Sequence, residues 1–271
     1  MPELPEVETA LRGIRPYVIG EPVARVVVRD PRLRWPIPKA LGAELPTQTI
    51  VRIKRRGKYL LLYGQTGCAI LHLGMSGSLR IFPAETAPEK HDHVDIVFTN
   101  GTLLRLRDPR RFGALLWTRG DPLAHPLLAN LGPEPWDPAF NGAYLHQRAR
   151  HRRLPVKSFV MDSRTVAGVG NIYANEALHL AGIHPARRAG RIAHRRYDAL
   201  VGAIRTVLDA AIAQGGTTLR DFVDSAGRAG YFKQRLRVYH RAGKPCPSCH
   251  APIRQRSIGQ RTTFFCSSCQ H

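Results

Sequence analysis

Four cysteines in the last 26 residues, Cys246, Cys249, Cys266 and Cys269, stand as C-x2-C, sixteen residues, C-x2-C. Two close pairs let each turn offer two thiolates to one tetrahedral ion, and the intervening segment suits a β-hairpin that brings the pairs together. Structural zinc is the reading, with a disulfide framework as the alternative. A four-thiolate site leaves no open position for water, so such a metal folds the hairpin and does not catalyse. Arg254, Arg256 and Arg261 lie between the pairs and suit phosphates, although many zinc ribbons bind protein. The fifth cysteine, Cys68, sits in the apolar run "TGCAILHLG" and reads as a buried core thiol. At the other end stands "MPELPEVET", whose prolines and acids by themselves fit the first turn and the positive end of a helix.

The elements that must position these residues change texture along the chain. Val7, Leu11, Ile14 and Val18 recur at helical spacing before Gly20, predicting a helix over 4–19. From there to about residue 118, short apolar runs ("ARVVVRD", "KYLLLYG", "AILHLG", "VDIVFTN", "ALLWT") alternate with Gly, Pro and Asp, predicting a β-rich domain. The stretch "LGPEPWDPAFNG" at 131–142 reads as a linker, with a boundary near 132. Beyond it, "ANEALHLAGI" and "YDALVGAIRTVLDAAIAQGG" carry helical periodicity, the second stopping at Gly215-Gly216. The fold class is therefore α+β. The chain divides into 1–131 (helix and β domain), 132–240 (helical) and 241–271 (the four-cysteine module), within a length of 271 residues.

Charge narrows the partner. The 41 Lys+Arg against 20 Asp+Glu give a formal charge of +21, which makes a polyanion, above all nucleic acid, the expected partner. The split of 34 Arg to 7 Lys is weaker testimony, because codon usage alone produces such a bias. No apolar run approaches the roughly 18 residues of a membrane span, and the first residues are too acidic for a signal peptide, so a soluble, intracellular protein is expected.

In this order, "PELPEVET", "KYLLL", "HLGMSGSLR", "KHDHVD", "DPRRFG", "GVGNIYANEAL", "GGTTLRDF" and the cysteine hairpin make the sequence resemble the bacterial formamidopyrimidine-DNA glycosylases, from residue 2 to residue 269. The resemblance implies a β-sandwich domain carrying the N-terminal helix, a helix-two-turn-helix domain and a terminal zinc finger, with DNA in the cleft between. It implies base-excision repair of oxidised purines such as 8-oxoguanine and formamidopyrimidines, by a bifunctional glycosylase and AP lyase. The expected partner is duplex DNA with the lesion opposite cytosine, bound by a cytoplasmic, nucleoid-associated monomer with one structural zinc and no organic cofactor.

The resemblance also assigns residues. With Met1 removed, Pro2 becomes a terminal secondary amine and the nucleophile. An α-amine of pKa about 8 is roughly one-tenth free base at pH 7, against well under a thousandth for a lysine near about 10.4. Attack on C1′ gives an iminium, an electron sink for β- and δ-elimination. Glu3 is the implied general acid/base, and Glu6 supports the turn. Lys58 matches the proton donor for β-elimination, although among Lys54, Arg55 and Arg56 it also reads as a surface phosphate ligand. Arg261 matches the donor for δ-elimination, and as a group that hardly deprotonates it reads mainly as a phosphate clamp.

Extruding a nucleotide leaves a hole to fill. Met75, Arg110 and Phe112 match the family's wedge, Arg110 facing the orphaned cytosine, whereas composition alone would make Met75 and Phe112 core residues. Phosphate contacts are expected from His91, Arg152, Lys157 and Asn171, and His91 reads equally as a turn residue. Gly168 and Gly170 permit a tight turn, and Asn171 is expected to cap the next helix. The glycine-rich 225–234, with Ala229 where a proline is often seen, resembles a loop closing over the everted base. Three alternatives are an endonuclease VIII-type enzyme for oxidised pyrimidines, disfavoured by Leu4 where that family has glycine, a non-catalytic damaged-DNA-binding protein of this fold, and an RNA-binding zinc-ribbon protein.

Overall fold

The computed structural model describes residues 2–216 and 236–271. The expected loop 225–234 lies outside the described residues. These fall into two compact units, one formed mainly by residues 2–129, the other by 130–213 together with 236–271.

The first unit opens with helix α1 (Leu4–Val18), one residue shorter than its periodicity predicts. Its Val7, Ala10, Leu11, Ile14 and Val18 are all buried, the stripe that the three- and four-residue spacing requires. Strand β1 (Val23–Val28) and the short helix α2 (Lys39–Glu44) lead into β2 (Arg52–Arg56), β3 (Tyr59–Tyr63) and β4 (Cys68–His72). Then come β5 (Ser78–Pro83), β6 (Asp92–Phe98), β7 (Thr102–Arg107) and β8 (Ala114–Thr118). They form two antiparallel sheets of four strands, ordered β1-β6-β7-β5 and β2-β3-β4-β8. Leu60 and Leu62 of β3, Leu71 of β4, Leu79 of β5, Ile96 of β6 and Leu104 of β7 join the stripe of α1 in one apolar cluster. Both sheets and the helix therefore share a core, as a sandwich must. On the β6–β7 ladder Asp95 is registered with Arg105. Arg105, 3% exposed, donates to both Asp95 carboxylate oxygens at 2.8 and 2.9 Å and to the Thr86 and Ala87 carbonyls.

In the second unit, no helix or strand occupies the segment expected as linker up to Asn141, and α3 (Gly142–Ala149) begins at its last residue, capped by Asn141 Oδ1 accepting from Tyr144 N–H at 2.9 Å. Next come α4 (Val156–Met161), α5 (Asn171–Leu180) and α6 (His194–Ala213). After α6, Gly215 and Gly216 adopt φ of +73° and +80°, so the Gly-Gly pair ends the helix as expected. The tail folds into a hairpin of β9 (Arg254–Ile258) and β10 (Arg261–Phe265), joined by Gly259 and Gln260, both at φ +58°. Two positive-φ residues make a turn whose twist matches the strands, and it sets Arg261 at the first position of β10. Among the described residues no helix is long and apolar enough to cross a membrane.

Candidate nucleic-acid interface and metal centre

At the start of α1 the chain buries two carboxylates side by side: Glu3 is 2% exposed and Glu6 is 1% exposed. Glu3 is the N-cap residue in extended conformation, and its backbone N–H donates to Glu6 Oε2 at 2.8 Å. The first turn therefore fixes the direction of the backbone that carries Pro2, which is itself buried. Glu6 takes the turn-supporting position expected for it.

Lys58 occupies the second position of the two-residue turn between β2 and β3, after Gly57 at φ +57°. Gly at the first turn position suits a twist-matched hairpin. The neighbouring Tyr59 pairs with His72 across the β3–β4 ladder, their rings 4.8 Å apart. His72 Nδ1 accepts the Gly74 N–H at 2.9 Å. Burial first, then the charges of Lys58 and Arg34, hold the His72 imidazole down to about 4, so it stays neutral at physiological pH. A neutral imidazole beside Lys58 adds no competing positive charge.

The expected wedge residues lie on two abutting loops. Met75 is half-buried in the turn after β4, Arg110 is exposed, and Phe112 is 45% exposed, with the Arg110 guanidinium 4.9 Å from its ring centre. Asp108, fully buried, binds the loops together. Its Oδ1 accepts from Ser76 Oγ at 3.0 Å and from Arg110 N–H at 3.3 Å, and its Oδ2 accepts from Gly113 N–H at 2.8 Å. The Asp108 carbonyl oxygen lies 2.8 Å from His93 Nε2. Gly74 sits at φ +61°, and a Cβ there would lie 2.4 Å from the Phe112 carbonyl carbon. The glycine is needed for both reasons: a left-handed backbone and the close approach of a second chain segment. His91, half-buried at φ +76°, is one loop away, and its carbonyl accepts the Asp108 N–H at 3.1 Å.

In the second unit, Asn171 and Arg261 line one cavity of about 550 Å³ together with Tyr239, His240, Thr262 and Phe264. The N-cap of α5 is Gly170, and Asn171 is the first helical residue. Asn171 does not cap the helix: its Nδ2 donates to the Thr262 carbonyl at 3.0 Å, because the hairpin strand passes close enough to compete for it. Arg152 is exposed in the loop before α4. Lys157, expected to contact phosphate, is 0% exposed, and its ammonium donates to Thr263 Oγ1 at 2.7 Å. It thus pins β10 from behind.

The four tail sulfurs lie within 4.8 Å of one another. Tetrahedral coordination at about 2.3 Å per sulfur separates sulfurs by about 3.8 Å, and the Cys246–Cys269 and Cys249–Cys266 pairs stand at 3.9 and 3.4 Å. The set fits a thiophilic ion. Contact with Cys249, before burial and the other sulfurs, pushes the Cys269 thiol well up, so a cation is what lets all four ionise together. A small apolar cluster of Val238, Cys246, Ile253, Phe264 and Cys266 backs the site. Glu176 of α5 accepts the N–H groups of Arg237, Val238 and Tyr239 at 2.8, 3.0 and 2.8 Å, tying the chain that enters this module to the helix.

Sequence reasoning did not single out Asp108, Ser76, His72 or Glu176. Each belongs to a motif quoted for its neighbours, but Ser76, the donor that joins Asp108 to the other loop, and Arg237, the first donor to Glu176, are 32 and 61 residues away in the chain. No local spacing reveals such partners.

Known proteins show the same organisation. The formamidopyrimidine-DNA glycosylase N-terminal domain profile matches residues 1–115, and the formamidopyrimidine-DNA glycosylase H2TH domain profile matches 131–223. The formamidopyrimidine-DNA glycosylases of Syntrophotalea carbinolica and Methylococcus capsulatus are each 60% identical over 270 residues, covering 100% of both chains. The MutM (Fpg) protein of Thermus thermophilus superposes with a TM-score of 0.89 at 39% identity, over 99% of this chain and 98% of that one. Wild-type Lactococcus lactis Fpg (MutM), in complex with N7-benzyl-Fapy-dG containing DNA, does so with a TM-score of 0.92 at 32% identity over 100% of both. On this full-length agreement in sequence and fold, the chain belongs to the formamidopyrimidine-DNA glycosylase family.

Proposed function

We propose that Pro2, once Met1 is removed, is the nucleophile with which this chain performs its family's reaction, the excision of oxidised purines from DNA by a bifunctional glycosylase and AP lyase. The observation that carries the assignment is the start of α1, where the Glu3–Glu6 turn buries two carboxylates beside Pro2. The Pro2 nitrogen forms a bond to C1′ as the glycosidic bond breaks, and the departing base keeps the bonding pair and takes a proton. Glu3, one residue away, is the group that delivers it or protonates O4′ as the C1′–O4′ bond opens, and with the proline N–H proton lost the nitrogen lone pair closes the C=N bond. The resulting iminium accepts the electrons of the C2′–H bond as that proton leaves, and the 3′ C–O bond breaks. A second elimination breaks the 5′ C–O bond. Lys58 and Arg261 serve these departures, Lys58 beside a histidine held neutral.

Met75, Arg110 and Phe112 fill the space vacated by the everted nucleotide, with Arg110 toward the opposite base, cytosine in the preferred duplex. Asn171 and Arg261, sharing a cavity, with His91 and Arg152, hold phosphates. Lys157 acts through the hairpin rather than by direct contact. The ion fitting Cys246, Cys249, Cys266 and Cys269 is zinc, which holds the hairpin that carries Arg261. Residues 1–131, 132–240 and 241–271 form the catalytic, helix-two-turn-helix and zinc-finger parts of a monomer working on the cytoplasmic nucleoid.

Borohydride trapping tests this reading. A duplex with one 8-oxoguanine opposite cytosine should crosslink at the Pro2 nitrogen, mapped by mass spectrometry, and a Glu3→Gln variant should crosslink at least 100-fold more slowly. A crosslink mapped to Lys58 would sink the assignment of Pro2. A crosslink obtained only with an oxidised-pyrimidine duplex would favour the endonuclease VIII-type reading.

A further inference from the structure

Helix α5 turns three polar side chains toward the tail module. Asn175 Oδ1 accepts the Phe264 N–H at 2.8 Å, and Glu176 accepts three successive N–H groups of 237–239. The third is His179, one turn beyond Glu176 and 5% exposed. Its Nε2 lies 3.5 Å from Cys246 Sγ, while its Nδ1, although buried, has no hydrogen-bond partner among the described residues.

The chemistry of sulfur decides what this contact is. A metal-bound cysteine is a thiolate, which can only accept, so the facing Nε2 must carry the proton. That tautomer leaves Nδ1 as a bare lone pair, and an under-satisfied acceptor is better tolerated inside a protein than an orphaned N–H. The opposite tautomer would bury an N–H with no acceptor and set a lone pair against a thiolate. One arrangement thus accounts for both nitrogens. Cys246 itself is 0% exposed.

We propose that His179 is a positioning residue of the metal centre, its Nε2–H donating to the Cys246 thiolate and holding the four-sulfur cluster on helix α5. The inference rests on the reading of the four cysteines as a metal site. Donation to the sulfur withdraws charge from it, which slows both metal loss and attack on the cysteine by electrophiles. It also ties the cluster to the helix whose first residue, Asn171, lines the cavity of Arg261.

The test uses the full-length protein. Transfer of zinc to a chelating dye is timed for the wild type, His179→Phe, which keeps a ring of similar bulk without a donor, and His179→Gln, which keeps an N–H. The Phe variant should release zinc roughly 10–100-fold faster, in line with the loss of an outer-sphere partner, and the Gln variant should recover most of the difference. In wild-type protein loaded with cadmium-113, the His179 Hε2 proton should show a scalar coupling to the metal through the N–H···S bond. That measurement needs no variant and bulk packing cannot mimic it. Zinc release unchanged in His179→Phe, or no coupling in the folded wild type, overturns the proposal while leaving the metal reading intact. A wild type that excises the lesion without stoichiometric metal overturns the metal reading and this proposal with it.

Discussion

The two units fix their functional side chains by opposite means. In the first, a large apolar core of helix and two sheets comes first, and Met75, Arg110 and Phe112 ride on loops that one buried carboxylate, Asp108, ties together. In the second, the hairpin that bears Arg261 rests on an apolar cluster of five buried residues among those described, is held by side chains of α4 and α5, and carries two of four sulfurs placed as a metal would need them. A segment of this size cannot bury enough surface to stand alone, so it depends on a staple.

That contrast can be broken most severely at the staple. Replacing Cys246 with Ser, or extracting the metal with a chelator, should abolish hydrogen-exchange protection of Arg254–Ile258 and Arg261–Phe265 while the amides of β3 and β4 keep theirs. Affinity for lesion duplex should fall at least 100-fold. Simultaneous loss of protection in the sandwich would show that the units are not separately stabilised. Next in size is Asp108→Ala, which orphans the Gly113 N–H and the Ser76 hydroxyl at a buried site and leaves the Arg110 N–H only its bond to Ser76 Oγ. Roughly 4 kcal/mol of stability should go, at about 1–3 kcal/mol per stranded group, and excision should slow more than binding of undamaged DNA weakens. Urea unfolding and single-turnover rates measure the two effects.

A smaller effect sharpens the first unit's side of the comparison. His72 is held near 4 when folded, against about 6.5 when unfolded, so the unfolded chain binds the proton first. Its contribution is complete above pH 6.5 and is lost as pH falls toward 4, up to about 3 kcal/mol for a shift of this size. His72→Gln should flatten that part of the stability–pH curve, and an unchanged slope would refute the assignment. Smallest is Lys157→Met, which removes the donor to Thr263 while keeping the stem. A cost of roughly 1 kcal/mol is expected, read as faster exchange confined to β10.

How far the sequence reached follows the same divide. Helix α1 and strands β3, β4, β6 and β8 were legible because burial imposes a period, and the runs "KYLLLYG" and "ALLWT" fall on strands. Strand β2, "RIKRR", was not: only Ile53 is buried, so there was no alternation to see. The cysteine cluster was legible because spacing alone states tetrahedral chemistry. Lys157 was expected to contact phosphate, and nothing local says that Thr263, 106 residues on, takes up its ammonium. Asn171 looked like a cap for want of knowing that Thr262 would lie within its reach. Resemblance identifies which residues matter, whereas long-range hydrogen bonds decide what each one does.

The contact at Gly74 has a mechanical side. Because its backbone rests against that of Phe112 and Gly113, with no room even for a methyl group, the loops of Met75 and Phe112 are one stiff fork rather than two independent fingers. A load on the Met75 prong passes directly to the Phe112 prong, so the wedge proposed for them would enter a base stack, and recoil from it, as a single stroke.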